Sequence, residues 1–224
     1  MHLVLFDIDG TLLTGKGIGR EATRRAMLEI FGSCGTLETH QFGGKTDWLT
    51  LAEVLAHEGF TPDHIGQRMA DYEPVLAFHM SALIAEYTVH ALPGALDTVT
   101  HLRGRDDVLL GIVTGNVSLT APVKLRAAGF DPAWFPIGAY GSEALERNDL
   151  PALALERACR FCGHHLTPTD VTIIGDTEAD IACARAIGAR AVAVTTGFTS
   201  REALAAAQPD HLLDDLSGLL PLLM

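Results

Sequence analysis

The sequence predicts an α/β protein, a doubly wound parallel sheet (a Rossmann-like core) with a small α-helical cap domain. Three observations lead there. Short apolar runs alternate with helix-period segments over most of the chain, acidic residues stand at the ends of the first and fourth of those runs, and one long interval near the N-terminus is helical throughout. Strand and helix in alternation argue for a parallel sheet with helices on both faces.

The first run, Leu3 to Phe6, is wholly apolar, as a strand buried on both faces should be, and gives way to Asp7-Ile8-Asp9-Gly10-Thr11. Gly15-Lys16-Gly17-Ile18-Gly19 then reads as a flexible linker rather than a phosphate loop. Glu21 to Phe31, Thr46 to Glu58 and Pro62 to Glu86 follow as helices, with no convincing strand before about His90. Pro93-Gly94 marks the return to the sheet. The expected division is therefore residues 1–14 and 91–224 as the α/β core and 15–90 as the cap. Within the core, strands are expected at Val108 to Val113, Pro136 to Tyr140, Val171 to Ile174 and Ala191 to Thr195, with a weaker one at His211 to Leu213. Helices are expected at Ala95 to Arg103, Ser118 to Ala128, Pro151 to Phe161, Ala179 to Ile187 and Ser200 to Ala206. Gly129 and Gly188 supply helix stop signals.

Composition narrows the function. Sixteen Lys and Arg against 28 Asp and Glu give a net charge of −12, and no basic run offers a stripe to track phosphates, so nucleic acid is not an expected partner. No stretch reaches the roughly 18 to 20 apolar residues of a bilayer span. The N-terminus lacks a basic segment and meets carboxylates at Asp7 and Asp9, which argues against a signal peptide. Four cysteines are too few for a disulfide framework in this length. A soluble, cytoplasmic protein acting on a small molecule is the expectation. The pattern leaves monomer and homodimer open.

In an open parallel sheet, chemistry gathers at the carboxyl ends of the strands. Those ends bring Asp7, Asp9 and Asp176 to one edge, where crowded carboxylates repel and call for a cation; an oxygen-rich set suits Mg²⁺. Thr114, Gly115 and Asn116 stand where a strand meets a helix N-terminus, a place that favours an anion. A hard cation beside an anion site is a phosphoryl site.

With these residues in place, the chain resembles the haloacid dehalogenase-like hydrolase superfamily, in the branch similar to bacterial phosphoglycolate phosphatases. The resemblance rests on Asp7-Ile8-Asp9-Gly10-Thr11-Leu12, on Thr114, on Gly175-Asp176-Thr177-Glu178-Ala179-Asp180, and on the insertion after the first of these. It implies a Mg²⁺-dependent phosphatase acting on a small phosphorylated metabolite. Asp7 would be the nucleophile that forms an aspartyl-phosphate. Asp9 would protonate the leaving alcohol and then activate water. Asp7, the Asp9 carbonyl and Asp176 would hold the metal, with Asp180 orienting the site from outside. Thr114, Gly115 and Asn116 would bind the phosphoryl oxygens, together with Gly10 and Thr11. An acid at Asp9 suits an alkoxide leaving group, so ester hydrolysis is expected over dehalogenation, and a sugar phosphomutase of the same fold is the enzymatic alternative.

One motif departs from the family. Where a Lys is usual, the chain has Glu146-Arg147-Asn148-Asp149-Leu150-Pro151, and Arg147 is the expected replacement for its fixed charge. Lys124 competes, but at about two turns into its helix it reads as a surface residue roughly 12 Å from the anion. The missing lysine also keeps open a catalytically silent binding or regulatory protein. In the cap, Phe42-Gly43-Gly44-Lys45-Thr46-Asp47 is either a substrate loop whose Lys45 meets a second anion, or an exposed helix start capped by Thr46 or Asp47. Cys159 and Cys162 lack the further ligands of a zinc site and read as structural. His40, His57, His79 and His101 read as solvated.

Overall fold

The computed structural model describes residues 1–223. Six parallel strands form the sheet: β1 (His2–Phe6), β4 (Val108–Thr114), β5 (Ile137–Tyr140), β6 (Val171–Gly175), β7 (Arg190–Val194) and β8 (His211–Leu213), in the order β5-β4-β1-β6-β7-β8. The chain winds outward from β1 through β4 to β5, then returns to the other side of β1 and continues through β6 to β8. The strand order therefore reverses at β1, and an open sheet forms its ligand crevice at such a reversal.

Side chains alternate across β1. Leu3 and Leu5 enter one buried layer with Ala154 and Ala158 of α6 (Leu150–Cys162) and Ile181 and Ala184 of α7 (Glu178–Ile187). Val4 and Phe6 enter the other with Val99 of α4 (Ala95–Leu102) and Leu125 of α5 (Ala121–Ala127). Leu204 of α8 (Arg201–Ala206) packs in the first layer. Burial on both faces explains why these strands read as continuous apolar runs.

Three helices separate β1 from the rest: α1 (Ile18–Phe31), α2 (Asp47–Leu55) and α3 (Pro62–Leu83). They enclose a core of their own, with Met27, Leu51, Leu55, Ile65, Tyr72 and Leu76 buried together. Thr46 caps α2 and Thr61 caps α3, each accepting a backbone N–H three residues on. The two chain crossings between the sheet and these helices pair as a short antiparallel ribbon, β2 (Leu13–Thr14) with β3 (His90–Ala91). Two-residue strands are too short to show a period, so the sequence carries no sign of this ribbon. No described helix is long and apolar enough to cross a membrane.

Candidate active site

Three strand ends and one turn build the site. Asp7 follows β1, Thr114 ends β4, Asp176 follows β6, and Arg147 opens a 3₁₀ turn before α6. Gly10 allows the turn after β1 to close. Its φ is +90°, and a Cβ there would stand 2.5 Å from the Asp176 carboxyl. Carboxylate oxygens of Asp7, Asp176 and Asp180 lie within 4.8 Å of one another, and all three residues are buried.

Among the described residues, one cation faces this triad. Arg147, 8% exposed, donates from Nη2 to Asp7 Oδ1 at 2.9 Å and to Asp180 Oδ1 at 2.5 Å. Burial works against its charge, but Asp180 and Asp7 outweigh that and hold the guanidinium protonated. Its Nε is buried without a partner among the described residues. Asp180 spends its other oxygen on the N-terminus of α7, where Thr177 N–H and Oγ1–H donate to Oδ2 at 3.0 and 2.7 Å. Asp176 accepts from Phe198 N–H at 2.9 Å and from Thr11 Oγ1–H at 3.3 Å. Three buried carboxylates against one guanidinium leave an excess of negative charge. Burial raises the pKa of Asp7 and of Asp176, and neighbouring carboxylates raise them further, Asp180 and Asp9 acting on Asp7 and Asp7 and Asp180 on Asp176. An oxygen-only set with that excess fits a hard divalent cation.

A testable consequence follows for stability. Asp7 and Asp176 hold protons in the folded state that the unfolded chain releases near pH 4, so rising pH favours unfolding. Asp47, raised to about 6 by burial, acts in the same direction. In EDTA the melting temperature should fall between roughly pH 5 and pH 8. Mg²⁺ should restore it near pH 8 and have little effect near pH 4, because only the ionised carboxylates bind it. A thermal melt with and without Mg²⁺ at each pH checks this, and no rise at pH 8 would remove the triad as a metal site.

Asp9 is held apart from the triad. Its Oδ2 accepts from Lys124 Nζ at 2.6 Å and from Asn116 Nδ2 at 2.8 Å. Lys124 is only 5% exposed, which corrects the expectation of a surface lysine. The helix begins at Ala121 rather than Ser118, so Lys124 lies near its first turn, and side chains lean toward a helix's N-terminus. Asn116 Nδ2 also reaches Thr114 Oγ1 at 2.8 Å, and Lys124 Nζ reaches Asn116 Oδ1 at 2.6 Å. Thr114 Oγ1 is engaged as an acceptor, which leaves its own proton for a bound anion.

A cavity of about 620 Å³ lies between this edge and the helical segment, with Asp7, Asp9, Gly10, Thr114, Gly115, Asn116, Lys124 and Arg147 on its core side. The chain has three lysines, Lys16, Lys45 and Lys124, and all of them line it. Lys45 lies on the cavity wall with Nζ paired to Glu53 at 2.5 Å. Thr11 differs from its expected place. It is fully buried and gives its hydroxyl to Asp176 rather than to the cavity.

The loop before α2 touches the core directly. Asp47 N–H donates to Gly115 O at 2.8 Å, Trp48 N–H to Gly141 O at 3.2 Å and Thr46 Oγ1–H to Leu145 O at 2.8 Å. Asp47 Oδ2 accepts Val117 N–H at 2.9 Å. A Cβ at Gly115 would collide with the Lys45 carbonyl, so the approach depends on glycine. The sequence offered Thr46 or Asp47 as a cap. Thr46 takes that role, and Asp47 reaches across to the core instead.

The chain carrying this edge is similar to known proteins in sequence and in fold. A HAD-hydrolase-like family model matches residues 140–219. Phosphoglycolate phosphatase 1 of Pseudomonas aeruginosa is 27% identical over 98% of this chain and 79% of its own. The phosphoglycolate phosphatase of Synechococcus elongatus is also 27% identical, over 98% of this chain and 96% of its own. These likenesses are to the haloacid dehalogenase-like hydrolase superfamily. The chain's likeness within that superfamily is to the phosphoglycolate phosphatase-like branch. The crystal structure of a predicted phosphoglycolate phosphatase from Haemophilus somnus shares the fold with a TM-score of 0.71, at 21% identity, over 100% of this chain and 98% of that one.

Other side chains settle outside the site. Cys159 and Cys162 lie on the last turn of α6, and the one described cluster with metal-holding geometry is the Asp triad. His40 and His79 depart from the solvated reading. The His40 side chain is 9% exposed, with Nε2 buried without a hydrogen-bond partner among the described residues, and His79 is held by Glu29 at 3.0 Å.

Proposed function

We propose that the protein is a divalent-metal-dependent phosphatase that hydrolyses a small phosphorylated metabolite through an aspartyl-phosphate on Asp7. The observation that carries this reading is the separation of Asp7 from Asp9. Two acids one residue apart are held by different cations, Arg147 on Asp7 and Lys124 on Asp9. Such separation suits two roles, a nucleophile and a proton carrier.

Asp7 would attack phosphorus, with Arg147 opposing the charge on the transferring group through its open donors. Thr114 Oγ1–H and the backbone of Gly115 and Asn116 would bind the phosphoryl oxygens. Asp9 would give its proton to the leaving oxygen and later take one from the attacking water. Asp7, the Asp9 carbonyl and Asp176 would hold Mg²⁺, with Asp180 outside them, and the ion supplies charge neutralisation of the phosphoryl oxygens. The helical segment, residues 15–90, would serve as the cap that excludes water.

The three lysines favour an anionic substrate, because a chain of net charge −12 places every one of them on a single cavity. A phosphoglycolate-like ester, with a second anion facing the Lys16 and Lys45 side, is the first candidate. The relatives named above carry that activity in their names. A panel of phosphomonoesters with Mg²⁺ and with EDTA tests the reading. Metal-dependent release of inorganic phosphate is expected. Isomerised ester with phosphate retained would instead mark a phosphomutase, and binding without turnover of any ester would leave a regulatory protein.

A further inference from the structure

Lys124 is buried, its charged end included, and its ammonium has two acceptors at 2.6 Å, Asp9 Oδ2 and Asn116 Oδ1. Asn116 closes the arrangement by donating to the same Asp9 oxygen at 2.8 Å and to Thr114 Oγ1 at 2.8 Å. One oxygen of Asp9 is thus gripped by two donors, and the other is left without a hydrogen-bond partner among the described side chains, on a residue that lines the cavity. A lysine that bound the phosphoryl group would face Asp7 and Arg147. This one faces the second acid.

We propose that Lys124 is a positioning residue for Asp9, fixing its carboxyl group through Oδ2 so that Oδ1 carries the proton to the leaving oxygen. The inference rests on the reading of Asp9 given above. In the step concerned, an Asp7 oxygen forms a bond to phosphorus and the bond from phosphorus to the ester oxygen breaks. The electron pair of that bond goes to the leaving oxygen, which takes the proton from Asp9. Asp9 becomes a carboxylate beside the Lys124 ammonium, so the charge that forms there meets one already in place.

The leaving group separates this role from phosphate binding and from mere structure. p-Nitrophenolate departs without a proton, whereas the alkoxide of phosphoglycolate needs one. The measurement is kcat/KM for both esters in wild type, Asp9→Asn, Lys124→Met, Lys124→Arg and the Asp9→Asn/Lys124→Met double variant. The ratio of the two values in one preparation does not depend on how much of it is folded. Lys124→Met is expected to lose at least about 10-fold more on phosphoglycolate than on p-nitrophenyl phosphate, as Asp9→Asn does. Lys124→Arg should recover part of that loss. In the Asp9→Asn background, Lys124→Met should add less than about twofold, since it acts through a group no longer there. Equal losses on both esters, or additive losses in the double variant, would overturn the inference while Asp9→Asn remained selective. An Asp9→Asn variant with no selectivity would remove the reading of Asp9, and the role of Lys124 with it.

Discussion

Asp7→Asn is expected to lower kcat by at least about 10⁴-fold while the protein stays folded. Asparagine keeps the size and shape of the side chain but cannot attack phosphorus as a carboxylate does. Its carbonyl can still accept from Arg147 Nη2, which lies 2.9 Å from Asp7 Oδ1 in the wild type. The amide nitrogen then replaces the second oxygen, so the site would lose a proposed metal-holding group together with the proposed nucleophile. Stability should move the other way. Asp7 is one of three buried carboxylates that repel one another, and removing one charge relieves that repulsion. The melting temperature in EDTA near pH 8 should therefore be equal to or above that of the wild type. Mass spectrometry of acid-quenched enzyme should find covalent phosphate on the peptide containing Asp7 in the wild type and none in the variant. Turnover within about 10-fold of wild type would exclude Asp7 as the nucleophile.

The parts of this site that can be read from sequence are those that local rules place. Strands buried on both faces are apolar throughout, so Leu3 to Phe6 and Val171 to Ile174 mark themselves, and Asp7 and Asp176 follow from where those runs stop. What cannot be read depends on reach or on partners far along the chain. Lys124 reads as a surface residue when its helix is begun at Ser118. Starting at Ala121 and leaning back, the same side chain meets Asp9, 115 residues away. Asp47 and Val117 are 70 residues apart, and neither neighbourhood hints at the other. Thr11 belongs to a recognisable motif, yet only the packing against Asp176 shows where its hydroxyl goes. The burial of His40 likewise comes from tertiary packing around an exposed-looking segment.

The second large effect is expected at Arg147. Arg147→Met should lower kcat/KM by about 10³-fold or more, because it removes the charge proposed to face the phosphoryl group beside Asp7. It should also cost stability, on the order of 3 to 5 kcal/mol for a buried pair deprived of one partner. That loss should grow with pH, since Asp7 and Asp176 become harder to ionise once the guanidinium is gone. Arg147→Lys separates charge from shape. A single nitrogen, Nη2, bridges Asp7 and Asp180, and an ammonium could in principle do the same. A lysine variant within about 10-fold of wild type, and nearly as stable, would show that charge at this point is what the site requires. If the lysine variant falls as far as the methionine one, the free donors of the fork are required as well, the buried Nε without a partner among them. Near-wild-type turnover in Arg147→Met would be the surprising result. The site would then have to draw its charge from Lys124, whose ammonium is already committed to Asp9 and Asn116 at 2.6 Å.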